Sequence, residues 1–180
     1  MSLDGSRPLG PAAVPVRAAP TSVTELFRAH HLELVRLAMM MTGDLATAED
    51  VVQDVYERLH RRWPSVRTDG GGLAYARASV LNGCRSAHRR AAVRRKHVVR
   101  MAGGLSDSPD AASAAADRGE LAAALRALPP RQREVLVLRY FCDLDVAEIS
   151  AMLGIGRSAV RSSVSRGLAA LAHALGEEQP

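Results

Sequence analysis

The chain has little of what stabilises small secreted or sheet-rich proteins. It contains two cysteines, Cys84 and Cys142, and aromatic residues make up 3% of its 180 residues. Two cysteines so far apart in sequence are not a disulfide framework, and a core with few aromatic residues must be built from aliphatic side chains. This composition favours packed helices over a β-sandwich.

Long apolar segments are also absent. No apolar run reaches the roughly 18 residues that would indicate a membrane span, and the proline-rich start of the chain has no stretch of signal-peptide length. We therefore expect no membrane insertion and a protein that works in the reducing cytoplasm. Because prolines and small residues interrupt any periodic pattern in residues 1–20, we expect a disordered extension there.

Apolar residues recur at helical spacing in two blocks. In the first block, Ser22 and Glu25 form a predicted capping box, Asp44 or Thr47 caps a second helix that ends before Trp63, and a third helix covers about residues 73–91. In the second block, short helices are predicted around residues 121–128, 131–141, 145–153 and 158–174. Neither block has the alternating pattern of a strand.

The predicted fold is therefore all-α, with two small helical domains. Residues 21–97 are expected to form a bundle of three to four helices, and residues 118–176 a domain that contains a helix-turn-helix. Residues 98–117 are rich in Gly, Ser, Pro, Asp and Ala and have no sustained apolar stripe. This composition predicts a flexible linker between the domains.

Residues 146–161 have the pattern of a helix-turn-helix, with the turn at Gly154. The second helix has arginines on its exposed face and no acid between residues 157 and 176, whereas an ordinary helical hairpin usually carries mixed charge. DNA binding is therefore favoured over a hairpin of purely structural role. The side chains expected at base edges or, for the last, at the DNA backbone are Arg157, Ser158, Arg161, Ser162 and Arg166.

Positive charge is concentrated in residues 85–100, where no acid occurs, although the net charge of the whole chain is only +5. The segment is either a solvated surface or a nucleic-acid contact. Cations without intervening acids repel one another unless a polyanion neutralises them, so we favour the contact with phosphates.

One face of the second predicted helix is acidic and polar. Paired carboxylates on it could bind a metal or act as acid and base, could be solvated, or could contact another protein, and no histidine lies nearby to complete a site. Cys84 and His88 are likewise more consistent with core packing than with metal ligation. No phosphate-binding loop or hydrolase motif occurs. The residues of the acidic face are Asp50, Gln53, Asp54 and Glu57.

Three segments occur in an informative order. The first is residues 48–56, AEDVVQDVY; the second is residues 74–90, with Asn82 and a terminal Arg89-Arg90 pair; the third is residues 128–136, LPPRQREVL, before the helix-turn-helix. In this order and spacing they resemble regions two and four of the extracytoplasmic-function (ECF) sigma factors of bacteria, close to their actinobacterial SigE branch. Ser86 departs from that pattern, which often has Asp there.

The resemblance implies a dissociable promoter-specificity subunit of RNA polymerase. The acidic face would bind the clamp helices of the largest polymerase subunits, region four would lie at the flap and read the upstream (−35) promoter element, and an anti-sigma factor is a further candidate partner. It implies no catalytic residue, metal or cofactor. The residues that would hold the single strand of the downstream (−10) element are Tyr75, Arg77, Asn82, Arg85, Arg89 and Arg90.

Two other functions stay open on the sequence. A stand-alone helix-turn-helix regulator would use the first domain to bind a ligand or to dimerise. A small helical hydrolase would use Asp50 and Asp54 as its acid and base.

Overall fold

The computed structural model describes residues 20–66, 71–101 and 119–176, with the side chains of residues 95–101 excepted. Every regular element in these residues is helical, which confirms the all-α prediction. The first nineteen residues of the predicted extension, residues 102–117 of the predicted linker and residue 118 lie outside the described residues. The helices are α1 (Val23–Thr42), α2 (Leu45–Val66), α3 (Gly71–Met101), α4 (Gly119–Ala127), α5 (Pro130–Leu136), which continues as a π-helical turn (Val137–Phe141), α6 (Val146–Leu153) and α7 (Arg157–Ala174).

Helices α1 and α2 each begin after a residue whose side chain caps the helix. Ser22 Oγ accepts a hydrogen bond from the Glu25 amide at 3.1 Å, but the Glu25 carboxylate accepts from the Thr21 amide and hydroxyl instead of from Ser22. The predicted capping box is therefore only half formed. Asp44, and not Thr47, caps α2, because Asp44 Oδ2 accepts from the Thr47 amide at 2.7 Å.

Two helix ends differ from the prediction. Helix α2 continues through Trp63 and Pro64 to Val66. Pro64 has no amide N–H and cannot make its helical hydrogen bond, but the Trp63 indole donates to the Thr21 carbonyl at 3.0 Å and holds this turn against the start of α1. Helix α3 starts at Gly71 and runs to Met101, so residues 98–101 are the end of this helix and not the start of the linker.

Helices α1, α2 and α3 bury one aliphatic stripe each. Helices α2 and α3 approach closely at Gly83, where an added Cβ would lie 2.7 Å from Val51 Cγ1. Aliphatic side chains pack densely only when helix backbones come near each other, and glycine permits that here. The fully buried large residues of this bundle are Leu26, Leu34, Leu37, Val52, Val55, Leu59, Val80 and Leu81.

Helices α4 to α7 form the second half of the molecule. Asp145 and Glu148 make a complete capping box at the start of α6, and Gly154 ends α6 with a φ of 64°, which a glycine adopts without strain. Helix α7 then crosses α5, where Gly167 lies against Leu136. The turn at Gly154 sets the angle between α6 and α7, the two helices of the helix-turn-helix.

The two halves are in contact. Buried residues of α5, the π-helical turn and α6, among them Val135, Leu138 and Ile149, belong to the same continuous core as those of α1 to α3. The Arg126 side chain of α4 lies over Gly43 at the end of α1, 2.7 Å from where a Cβ would stand. Residues on both sides of the linker therefore share one core in this arrangement.

Replacing Gly83 with Ala should destabilise the bundle. The new methyl meets Val51, and overpacking costs about 1–3 kcal/mol, more than the helix propensity gained by replacing glycine, which is about 1 kcal/mol. Urea unfolding followed by circular dichroism measures the change. Val51→Ala should cost less in the Gly83→Ala background than in the wild type, because it makes room for the methyl. Stability of Gly83→Ala equal to or above that of the wild type would contradict the close approach.

Candidate functional site

The acidic face of α2 is fully displayed to solvent. Val51, Val52 and Val55 of α2 point into the core, so the opposite side of the helix must face outward. The Arg58 guanidinium lies 4.0 Å from the Asp54 carboxylate, in an exposed pair that neutralises little. All four predicted residues of this face, Asp50, Gln53, Asp54 and Glu57, are exposed on the same side of α2.

No metal-binding geometry supports the alternative use of these carboxylates. Within the described parts of the chain, no group of three or more His, Cys, Asp or Glu side chains is arranged to hold a metal ion. The face thus consists of separate solvated carboxylates with one amide among them. Such a face can bind a basic protein surface, whereas DNA would be repelled.

An aromatic cluster that was not predicted from the sequence borders the acidic face. The ring centroids of Phe27 and His31 in α1 are 4.4 Å apart, and the Tyr56 ring of α2 lies 5.0 Å from Phe27. Burial raises the pKa of Tyr56 to about 12. Phe27 is nevertheless 45% exposed, so the cluster offers apolar surface beside the carboxylates. In the sequence, the only signal for this cluster was Tyr56, the aromatic residue at the end of AEDVVQDVY.

Arg77 of α3 does not face solvent. Its Nε donates to Glu33 Oε1 at 2.7 Å, Nη2 contacts the same oxygen, and the Arg77 side chain is only 14% exposed. The His30 Nδ1 atom is 2.9 Å from the other Glu33 oxygen. Arg77 is therefore part of a network between α1 and α3, and Tyr75 nearby is half-buried.

Arg85, which is partly exposed, is also paired within the protein. Its Nε and Nη2 atoms donate to the two carboxylate oxygens of Glu134 in α5, and its Nη1 donates to Asn82 Oδ1 at 2.9 Å. The hydrogen bonds with Glu134 raise the pKa of Arg85, which stays charged. Of the predicted single-strand contacts, the structure thus leaves Asn82, Arg89 and Arg90 exposed, and it places Arg77 and Arg85 in ion pairs.

The exposed side of α7 presents a set of polar and basic side chains. Val160, Ser163 and Gly167 are buried, which turns the helix so that the predicted residues face outward. Arg166 lies against the preceding turn, where Nε donates to the Ser162 carbonyl at 3.2 Å and Nη2 to Ser162 Oγ at 3.4 Å. Those exposed residues are Arg157, Ser158, Arg161, Ser162 and Arg166.

Both cysteines pack in the core. Burial raises the pKa of Cys84 to about 12 and that of Cys142 to about 11, so neither is a thiolate at neutral pH. His88 is exposed, and its Nε2 atom lies 3.0 Å from the Met41 carbonyl oxygen. Core packing is therefore confirmed for Cys84, whereas it is wrong for His88.

None of the helices that the structure describes is both long and apolar enough to cross a bilayer.

The halves of the chain match two protein-family models. Residues 26–94 match the model for sigma-70 region 2, and residues 118–171 match the model for sigma-70 region 4. The first match covers most of α1 to α3, and the second covers most of α4 to α7.

Curated relatives cover most of the chain. The RNA polymerase sigma-E factor of Streptomyces coelicolor is 33% identical over 149 residues, which are 82% of each chain. Two ECF sigma factors of Mycobacterium tuberculosis are also similar: SigL is 33% identical over 81% of this chain and 84% of its own length, and SigM is 30% identical over 84% and 76%.

Solved structures share the fold. The Bartonella quintana sigma factor RpoE, crystallised with the anti-sigma factor NepR, superposes with a TM-score of 0.68 at 20% identity, covering 87% of this chain and 98% of that one. CnrH, in complex with the cytosolic domain of CnrY, gives a TM-score of 0.63 at 24% identity, covering 87% of this chain and 89% of CnrH.

Proposed function

Because the chain belongs to the ECF group of the sigma-70 family, we propose that its acidic face binds core RNA polymerase and that its basic faces bind promoter DNA. It is an RNA polymerase sigma factor, which binds the core enzyme and directs promoter-specific initiation of transcription. A stand-alone regulator is not favoured, since the first half of the chain matches region 2.

The observation that carries the residue assignments is the separation of charge between faces. Exposed carboxylates occupy one face of α2. Helix α7 exposes arginines, and it contains no Asp or Glu. A negative face is repelled by DNA, so it is available for a basic surface of the polymerase. In our proposal Asp50, Gln53, Asp54 and Glu57 dock on the clamp helices of the largest subunits, and Phe27 adds apolar contact beside them.

Promoter opening in this proposal uses binding energy and involves no bond cleavage. Extruding a base costs a few kcal/mol, and stacking on an aromatic side chain returns about 1–3 kcal/mol per base. Tyr75 can supply such stacking. The exposed side chains of Asn82, Arg89 and Arg90 can contact the strand directly. Arg77 and Arg85 can contact the strand only after their ion pairs break. No catalytic residue or cofactor is needed, and the protein would act in the cytoplasm with its polymerase.

An anti-sigma factor is a further proposed partner. An apolar groove of about 410 Å³ lies between α1 and the second half of the chain, and RpoE, of the same fold, is solved with such a partner. Tyr140 and Leu168 in the groove are 62% and 42% exposed. Apolar surface of this kind is typical of a protein contact. The groove is lined by Met40, Leu121, Leu125, Leu136, Val137, Tyr140, Phe141, Leu168 and Leu171.

Run-off transcription tests the function as a whole. Core polymerase from an actinobacterium, mixed with this chain and a genomic promoter library, should initiate at a defined subset of promoters that core alone ignores. A chain that leaves the output of core unchanged on every promoter would contradict the proposal.

Charge reversal on α2 should abolish core binding. Asp50→Lys and Asp54→Lys together place positive charge against a basic surface, which costs several kcal/mol and weakens binding by at least about a hundredfold. Folding stability should change by no more than about 0.5 kcal/mol, because both positions are exposed. Fluorescence anisotropy with labelled protein measures the affinity. Glu120→Lys, an exposed change on α4, is the control and should bind normally; equal loss in the control would refute the assignment.

Two arginines of α7 should behave differently in kind. Arg161 is placed to pair with a base edge, so Arg161→Ala should remove about 1–3 kcal/mol of discrimination at one position, expected to be a guanine. Arg166 lies further along the helix, so Arg166→Ala should weaken all sequences alike and lower the salt dependence of binding. Transcription from promoters randomised over the upstream element separates the two effects. A uniform loss in both variants would show that the division is wrong.

A further inference from the structure

Helix α2 changes the sign of its charge along its length. All of its acids lie before Arg58, and all of its basic residues lie at Arg58 or beyond it. Arg58, Arg61 and Arg62 are exposed, and together they form the basic end of α2. The acidic face of this helix is assigned to the polymerase, whereas the basic end has no assigned role.

The surrounding structure does not neutralise the basic end. Among the described contacts, Arg61 and Arg62 make no ion pair, and the Arg58 guanidinium approaches Asp54 only to 4.0 Å. A helix dipole favours cations within the last turn of the helix. The last turn of α2 contains no basic residue, so the dipole does not account for Arg61 and Arg62. Neighbouring cations repel each other, and a bound anion would relieve that repulsion.

The basic end lies on a rigid part of the bundle. The Trp63 indole donates to the Thr21 carbonyl at 3.0 Å, and its ring packs on Gly72 of α3, where an added Cβ would lie 3.0 Å from it. The backbone beside Arg62 is thereby fixed to both α1 and α3. Little of this backbone has to be ordered when a ligand binds, which favours affinity.

The basic end is level with Tyr75 of α3. Trp63 lies against Gly72 and Val51 lies against Gly83, so α2 and α3 run antiparallel, and Tyr75 is level with the segment between Arg58 and Arg62. Arg58 and Arg62 follow Val51 by about two and three helical turns, which places them on the side of α2 that faces α3.

Exposed arginines therefore stand at both ends of the single-strand site proposed for α3. Arg89 and Arg90 lie about 22 Å along the helix from Tyr75, at a rise of about 1.5 Å per residue. The basic end of α2 stands at the Tyr75 end, and the exposed Asn82 lies between the two groups of arginines.

We propose that the basic end of α2 binds backbone phosphates of the single DNA strand whose bases lie at Tyr75 and Asn82, so that the strand is held at both ends of the site. This proposal rests on the proposed DNA role of α3. The guanidinium fork matches phosphate oxygens, and phosphate contacts position a strand without reading its sequence. The basic end fixes the position of the strand, and the acids that precede Arg58 repel phosphates and keep the strand off the rest of α2.

A scan of the strand with neutral linkages tests this proposal in the holoenzyme. The probe is a promoter fragment opened in advance over the −10 element, in which a methylphosphonate replaces one phosphate at a time. With the wild-type protein, affinity should fall at two groups of phosphates. Arg61→Ala with Arg62→Ala should abolish the sensitivity of one group, and Arg89→Ala with Arg90→Ala that of the other, because a contact can be lost only once.

The salt dependence of binding gives the expected size of the effect. Each phosphate contact with a single strand contributes about 0.7 to the slope of log affinity against log salt concentration, so Arg61→Ala with Arg62→Ala should lower the slope by about 1.4. The affinity gained between about 1 M and about 0.1 M salt should then be about 25-fold smaller than in the wild type. Arg61→Lys with Arg62→Lys should keep the wild-type slope, because counterion release depends on charge.

Arg28→Ala with Arg36→Ala is the matched control. It removes two exposed arginines of α1 that make no ion pair among the described contacts, and it should bind the promoter fragment like the wild type. Affinity for core polymerase, measured without DNA, should equal that of the wild type in every variant.

Three results for Arg61→Ala with Arg62→Ala would overturn the proposal: an unchanged pattern of sensitive phosphates, a loss of core affinity, or a loss of promoter binding no greater than that of the control. If Arg89→Ala with Arg90→Ala leaves the pattern unchanged, the DNA role of α3 fails and this proposal fails with it. If only that variant changes the pattern, α3 binds the strand and the basic end of α2 does not.

Discussion

Burial of the apolar stripe of α2 is the constraint on which the rest of this molecule depends. Val51, Val52, Val55 and Leu59 are at most 4% exposed, and burying each such side chain stabilises the fold by about 1.5–3 kcal/mol. A helix that buries one side in this way has no freedom of rotation about its axis. The carboxylates on the opposite side are consequently directed to solvent, and Gly83 must let α3 approach Val51.

Partly buried charge is the second organising feature. Glu33 and Glu134 are the acids that neutralise arginines of α3, one from α1 and one from α5. Isolated charges at these positions would be costly to desolvate, so each arginine is retained with a partner. The consequence is a division along α3: its inner arginines hold helices together, while Arg89 and Arg90 remain at the surface. Arginines of the same basic helix, α3, thus serve both interdomain packing and the proposed DNA binding.

Local signals predicted much of the fold because they act within a few residues. The apolar spacing, the cap at Asp145 and the turn at Gly154 identify helices and the helix-turn-helix without reference to the rest of the chain. The predicted end of α2, before Trp63, was wrong. The Trp63 indole donates to the carbonyl of Thr21, 42 positions away, and no local rule includes that contact. The π-helical turn after Leu136 was likewise not expected, because it has no strong sequence signal.

The sequence by itself determined which faces of α2 and α7 are apolar and which are charged, since helical periodicity assigns each residue to a side. It therefore identified the acidic face and the exposed residues of the helix-turn-helix. Only the tertiary structure decided that Phe27, His31 and Tyr56 meet, and that Arg77 and Arg85 are paired while Arg89 and Arg90 are free of interdomain ion pairs among the described contacts. The reason is physical: an arginine has the same local pattern whether its partner is water, phosphate or a distant carboxylate. Which of these it meets depends on how the helices pack.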